Sequence, residues 1–223
     1  MRALRDHSLS LFFLAIFLAA LVGNAIAGNA EFNNEQLAHG GETLGFWSYV
    51  VSADFGQSVM ENWQSEYLQF TLFVLATVWF VQKGSPESKK VDETGTESDR
   101  DQRIGEHARE DSPKWARARG LRLFLYSNSL LIVMGLIFLG SWAAHSLTGW
   151  RVYNDEQVEH MQATLTWVQY LGSADFWETT LQNWQSEFLA VGSMAVLSIY
   201  LRQRGSPESK PVGAPHSSTG VEG

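Results

Sequence analysis

The chain has 223 residues, a hydrophobic fraction of 45% and a formal net charge of −8, which is room for one or two ordinary domains. It contains no cysteine, so disulfides, thiolate metal sites and cysteine nucleophiles are excluded. The acidic balance argues against nucleic acid as a partner, since that would call for a basic stripe.

The first predicted element is an apolar run over residues 8–27, preceded by Arg2 and Arg5. A helix needs roughly 20 such residues to cross a hydrocarbon core. The same features imitate a secretory signal peptide cleaved after Ala27. The counterpart run in the second half, residues 130–144, is internal and carries no such site, so the first helix is expected to be retained. Next comes an acidic segment, residues 28–66, with six acidic residues and no Lys or Arg. Within it Ser52 is a natural N-cap and Asp54 suits a first helical turn. After that cap, Phe55, Val59, Trp63 and Tyr67 recur every four residues, one apolar stripe of an external amphipathic helix. That helix runs into a second apolar stretch over residues 67–82. The sequence GSPESK at 84–89 then reads as a stop, with Gly84 as a left-handed C-cap, Pro86 beyond it and Lys83 at the negative end of the helix dipole.

Residues 86–111 are nearly devoid of apolar side chains and read as a disordered linker. Its basic end, Lys114, Arg117, Arg119 and Arg122 with Trp115, leads to a third apolar run within 123–147. A second acidic segment, residues 149–187, has six acidic residues and only Arg151 as a base. Ser173 caps a second stripe of Phe176, Thr180, Trp184 and Phe188, which continues into a fourth apolar run over 188–201. GSPESK recurs at 205–210, and a low-complexity tail, 211–223, is expected to be disordered.

The halves are copies. SADF at 52–55, NWQSE at 62–66 and GSPESK at 84–89 all return at an offset of 121 residues. Such a repeat decides architecture before local detail does. The expected fold is all-α: an integral membrane protein with four transmembrane helices as two parallel two-helix repeats, each with an external amphipathic helix. The expected division is a first membrane repeat over 1–89, a charged cytoplasmic linker over 90–121, a second membrane repeat over 122–210 and the tail. Fifteen of the sixteen basic residues lie outside the two acidic segments. By the positive-inside rule both termini and the linker are cytoplasmic and the acidic segments external.

Candidate site residues are few. Glu66 and Glu187 each open an apolar helix, with Asn62, Gln64, Asn183 and Gln185 within a turn. Ionisable residues at membrane depth are functional hypotheses by default, although at headgroup depth the same pair would simply be hydrated. Glu35 with His39, and Glu156 with His160, share a helical face at a spacing that suits a metal such as zinc. The same spacing is common on exposed helices, so no metal or other cofactor is assigned. His145 has Asn24 as its counterpart and reads as a packing or capping residue near the outer face. No nucleophile elbow, phosphate loop or HExxH motif occurs.

The pattern SADF…ENWQSE(Y/F)L with a closing (K/R)GSPESK resembles an uncharacterised bacterial integral membrane family, one of the domains of unknown function. Lys83 stands where the pattern has Arg, and Leu181-Gln182 replaces Met60-Glu61 in the second copy. The resemblance implies a multi-pass cell-membrane protein and supplies neither activity nor site residues. The expectation is a non-enzymatic structural or interaction role, with the lipid bilayer as partner and protein partners or homo-oligomers undetermined. The alternatives are a small transporter or channel whose path passes Gln69, Thr71 and Ser193, and a metalloenzyme built on Glu35, His39, Glu156 and His160.

Overall fold

A computed structural model describes residues 2–221, with side chains from residue 4 onward, so the Arg2 side chain named above lies outside the described residues. All regular structure among the described residues is helical. The α-helices are α1 (Arg2–Asp6), α2 (Ser8–His39), α3 (Phe46–Val50), α4 (Ala53–Trp79), α5 (Leu121–Ser127), α6 (Ser129–Glu159), α7 (Trp167–Tyr170) and α8 (Ala174–Tyr200). Two 3₁₀ turns, Gly105–His107 and Lys114–Arg117, interrupt the connector between α4 and α5.

The amphipathic stripes and the apolar runs that follow them form single helices, α4 and α8, 27 residues each. Ser52 and Ser173 accept from the Phe55 and Phe176 N–H groups at 3.4 and 3.2 Å, as N-caps do. The first and third apolar runs continue well into the acidic segments, making α2 and α6 32 and 31 residues long.

Two helices, α2 and α6, are long and apolar enough to cross a membrane, not the four expected. The reason lies in the other pair. Acidic and amide side chains fill the first halves of α4 and α8, and the helices end at Trp79 and Tyr200, before their apolar runs do. From Tyr67 to Trp79 the helix rises only about 20 Å at roughly 1.5 Å per residue, short of a core about 30 Å thick.

The chain forms two compact units that cut across the halves. The first, Met1–Met60 with Ala144–Leu171, contains two loops built alike. In one, Asn33 clamps Leu44, its amide donating to the carbonyl (2.9 Å) and its oxygen accepting from the N–H (2.7 Å). In the other, Asn154 clamps Leu165 in the same way, at 2.9 and 2.8 Å. A buried tyrosine completes each loop: Tyr49 lies 5.8 Å from the Phe32 ring, and Tyr170 lies 5.5 Å from the Tyr153 ring. Each tyrosine hydroxyl fills the space where Gly28 or Gly149 would carry a Cβ. The preceding helices also end alike. Gly41 N–H donates to Gln36 O and Gln162 N–H to Gln157 O, both at 2.7 Å, a six-to-one closure that needs a left-handed residue one step earlier. That residue is Gly40 (φ 74°) in the first copy and Met161 (φ 56°) in the second.

The second unit, Glu61–Ala143 with Gly172–Gly223, holds the remainder of α4 and α6, all of α8, the connector and the tail. Trp142 of α6 is the hub of its aromatic core, with ring centroids of Phe138, Phe176, Trp177 and Trp184 between 5.8 and 6.3 Å away. Composition places the tail after Lys210 among disordered chains, yet its described part follows a defined path. Thr219 Oγ1 accepts from Gly84 N–H (2.8 Å), and Gly220 N–H donates to Ser85 O (3.1 Å).

Candidate functional site

The two ENWQSE-type motifs meet in the second unit. The period-four stripe of α8 brings Phe176, Thr180 and Trp184 onto one face, and α4 offers Glu61, Gln64, Ser65 and Leu68 to the same seam. Trp184 donates its indole N–H to Gln64 Oε1 at 2.7 Å, and Asn183 donates its amide to Glu61 Oε1 at 2.7 Å. Gln64 and Thr180 are fully buried. Gln64 Nε2, Thr180 Oγ1 and the Trp142 indole N–H have no hydrogen-bond partner among the described residues. A buried polar group without a partner costs about 1–3 kcal/mol.

The GSPESK segments form the other repeated feature. Both have a turn closed by Ser85 N–H to Gln82 O (3.0 Å) or Ser206 N–H to Gln203 O (3.2 Å). Gly84 (φ 92°) and Gly205 (φ 85°) take the third position, where a type II turn requires positive φ. Ser88 Oγ accepts from Gln82 N–H at 2.8 Å, and Ser209 Oγ from Gln203 N–H at 2.9 Å. The glycines are therefore turn residues beyond the helix ends, and the C-cap role expected of them does not occur: α8 is capped by Leu201. The lysines part company. Lys89 pairs with Glu97, whereas Lys210 is buried and donates to the carbonyls of Gly84 (2.6 Å), His216 (3.0 Å), Pro215 (3.3 Å) and Ser218 (3.3 Å).

The profile of a family described as a domain of unknown function (DUF6766) matches residues 1–221. The chain belongs to DUF6766. No curated protein and no solved structure matches it.

In this DUF6766 chain the candidate residues do not all behave alike. Gln64 and Asn183 are engaged across the seam, while Gln185, Asn62 and Glu66 are exposed and Glu187 is half-buried. The motif copies are thus used unequally: Gln64 receives a tryptophan and its counterpart Gln185 faces outward. Glu35, His39, Glu156 and His160 are all exposed, and His160 Nδ1 lies 2.9 Å from the Glu156 backbone oxygen. No group of three or more His, Asp or Glu that could hold a metal occurs among the described residues. His145 is fully buried. Two things escaped sequence reasoning: the asparagine clamps and the meeting of the two GSPESK loops. The clamps could have been found, because Asn33 and Asn154 stand at the repeat offset.

Proposed function

We propose that the protein is a multi-pass cell-membrane protein with a structural or partner-interaction role and no chemistry of its own. The observation that carries this reading is α2. It is 32 residues long, only Ala25 is buried, and apolar side chains such as Phe12, Phe13 and Leu14 are 59, 60 and 51% exposed. An apolar surface of that extent is expensive in water and natural in lipid. In this reading α4 and α8 return the chain across the bilayer through packing rather than apolarity. Buried Gln64 and Thr180 support this, since polar side chains within membranes turn toward protein. The distribution of basic residues supports both termini on the cytoplasmic face.

The absence of native cysteine makes the test direct. Thr43→Cys and Asp92→Cys sit at exposed positions. In intact cells a membrane-impermeant thiol reagent should label the first and reach the second only after lysis. Labelling of both in intact cells, or release of the protein from membranes by alkaline carbonate, would overturn the proposal.

A second reading, a small transporter or channel, is favoured by the unsatisfied polar atoms of Gln64 and Thr180 in the seam. It expects a Gln64→Cys side chain to become reactive during turnover, and steady protection under every condition would remove it.

A further inference from the structure

The GSPESK loops do more than end two helices. Glu87 and Glu208 are the same residue of the two copies. Both side chains line a groove of about 360 Å³ whose other walls are Gln69, Phe70 and Phe73 of α4 and Ala190, Val191 and Met194 of α8. The volume lies in the range of small-molecule sites, which are typically about 300–1,000 Å³ and mostly apolar with a few polar anchors.

We propose that this groove binds an amphipathic organic cation, its positive group held by Glu87 and Glu208 and its apolar body seated against Phe70, Phe73 and Met194. Three features of the groove select that class. Its only charges are the two carboxylates, so a phospholipid would bring a phosphate with no basic residue to receive it. A lone divalent metal would find only two protein carboxylates, and no larger ligand group exists among the described residues. Aromatic faces beside the acids favour a cation with a bulky, weakly hydrated body.

Three neighbouring cations are committed elsewhere. Lys89 pairs with Glu97, Lys210 holds four backbone carbonyls, and Arg202 donates to the carbonyls of Ser198, Ile199, Leu201 and Ala214. An entering cation favours ionised carboxylates, so a proton held on Glu87 leaves to solvent as it binds. Burial first, then the like charge of Glu208, hold the Glu87 carboxyl above the usual range, so this release is sensitive to pH on the acid side.

The test is equilibrium binding of tetraphenylphosphonium to the full chain in neutral detergent, with tetraphenylborate as an anion of the same size and shape. Saturable one-to-one binding is expected for the cation, accompanied by proton release, and none for the anion. Affinity should rise with pH on the acid side, by at most about tenfold per pH unit where Glu87 still holds a proton. Glu87→Gln and Glu208→Gln should each weaken binding by roughly tenfold or more through loss of a charge-assisted contact. Ala190→Trp, which fills the groove and leaves both acids in place, should abolish it and covers the case in which a Gln variant does not fold. Equal uptake of cation and anion, or cation binding unchanged by Ala190→Trp, would mean partition into detergent and end the proposal.

Discussion

Met161 is the residue where the two copies disagree most plainly. It holds a left-handed backbone (φ 56°) and is 96% exposed, so packing gives nothing back for the strain. Its counterpart Gly40 adopts the same conformation without penalty. Met161→Gly should therefore stabilise the protein by about 1 kcal/mol, and Gly40→Ala should destabilise it by a similar amount. Thermal unfolding in detergent, read by circular dichroism, checks both. Gly149 makes the converse case, since a Cβ there would sit 2.6 Å from the Tyr170 hydroxyl oxygen. Gly149→Ala should cost roughly 1–3 kcal/mol, and markedly less when introduced together with Tyr170→Phe, which removes the offending oxygen. Neither constraint was visible in composition or periodicity. Gly28 and Gly149 read as ordinary small residues until the loop folds a tyrosine back onto them.

At the scale of elements, the start of α4 and α8 was legible and their role was not. Ser52, Ser173 and the period-four stripes announced both helices, because caps and periodicity are local signals. Which side chain of one motif would meet which of the other is a tertiary matter, and the identical copies gave no hint that Gln64 would be buried and Gln185 exposed. Trp184→Phe should expose the consequence. It leaves Gln64 buried with neither end of its amide satisfied, at a cost of about 1–3 kcal/mol. Adding Gln64→Leu should recover much of the loss, because removing both partners is far cheaper than removing one.

Taken as a whole, the molecule was readable as a helical chain, while the path of its tail is not written in composition. Pro211, Gly213, Pro215, Ser217 and Ser218 look like a solvated end, yet Thr219 and Gly220 beyond them bond to Gly84 and Ser85, more than a hundred positions earlier. Contacts of that sequence separation leave no trace in a local window. Removing residues 211–223 should strip three carbonyl acceptors from buried Lys210 and two hydrogen bonds from the first GSPESK loop. The expected result is a lower midpoint of thermal unfolding and faster proteolysis near Lys83. An unchanged midpoint would show that these bonds are worth no more than those to water.

That arrangement also sets an order of events during synthesis. Domains made on the ribosome ordinarily fold from the N-terminus as they emerge. Here the loop that closes the first copy receives its partners from Lys210, Thr219 and Gly220, 126 or more residues further along the chain. A chain stalled or truncated late in translation would carry a complete first half whose closing loop has nothing to bind. Only a chain made through the second GSPESK segment and the residues that follow it can shut that loop, so its closure reports, at the site of the first copy, that the second has arrived.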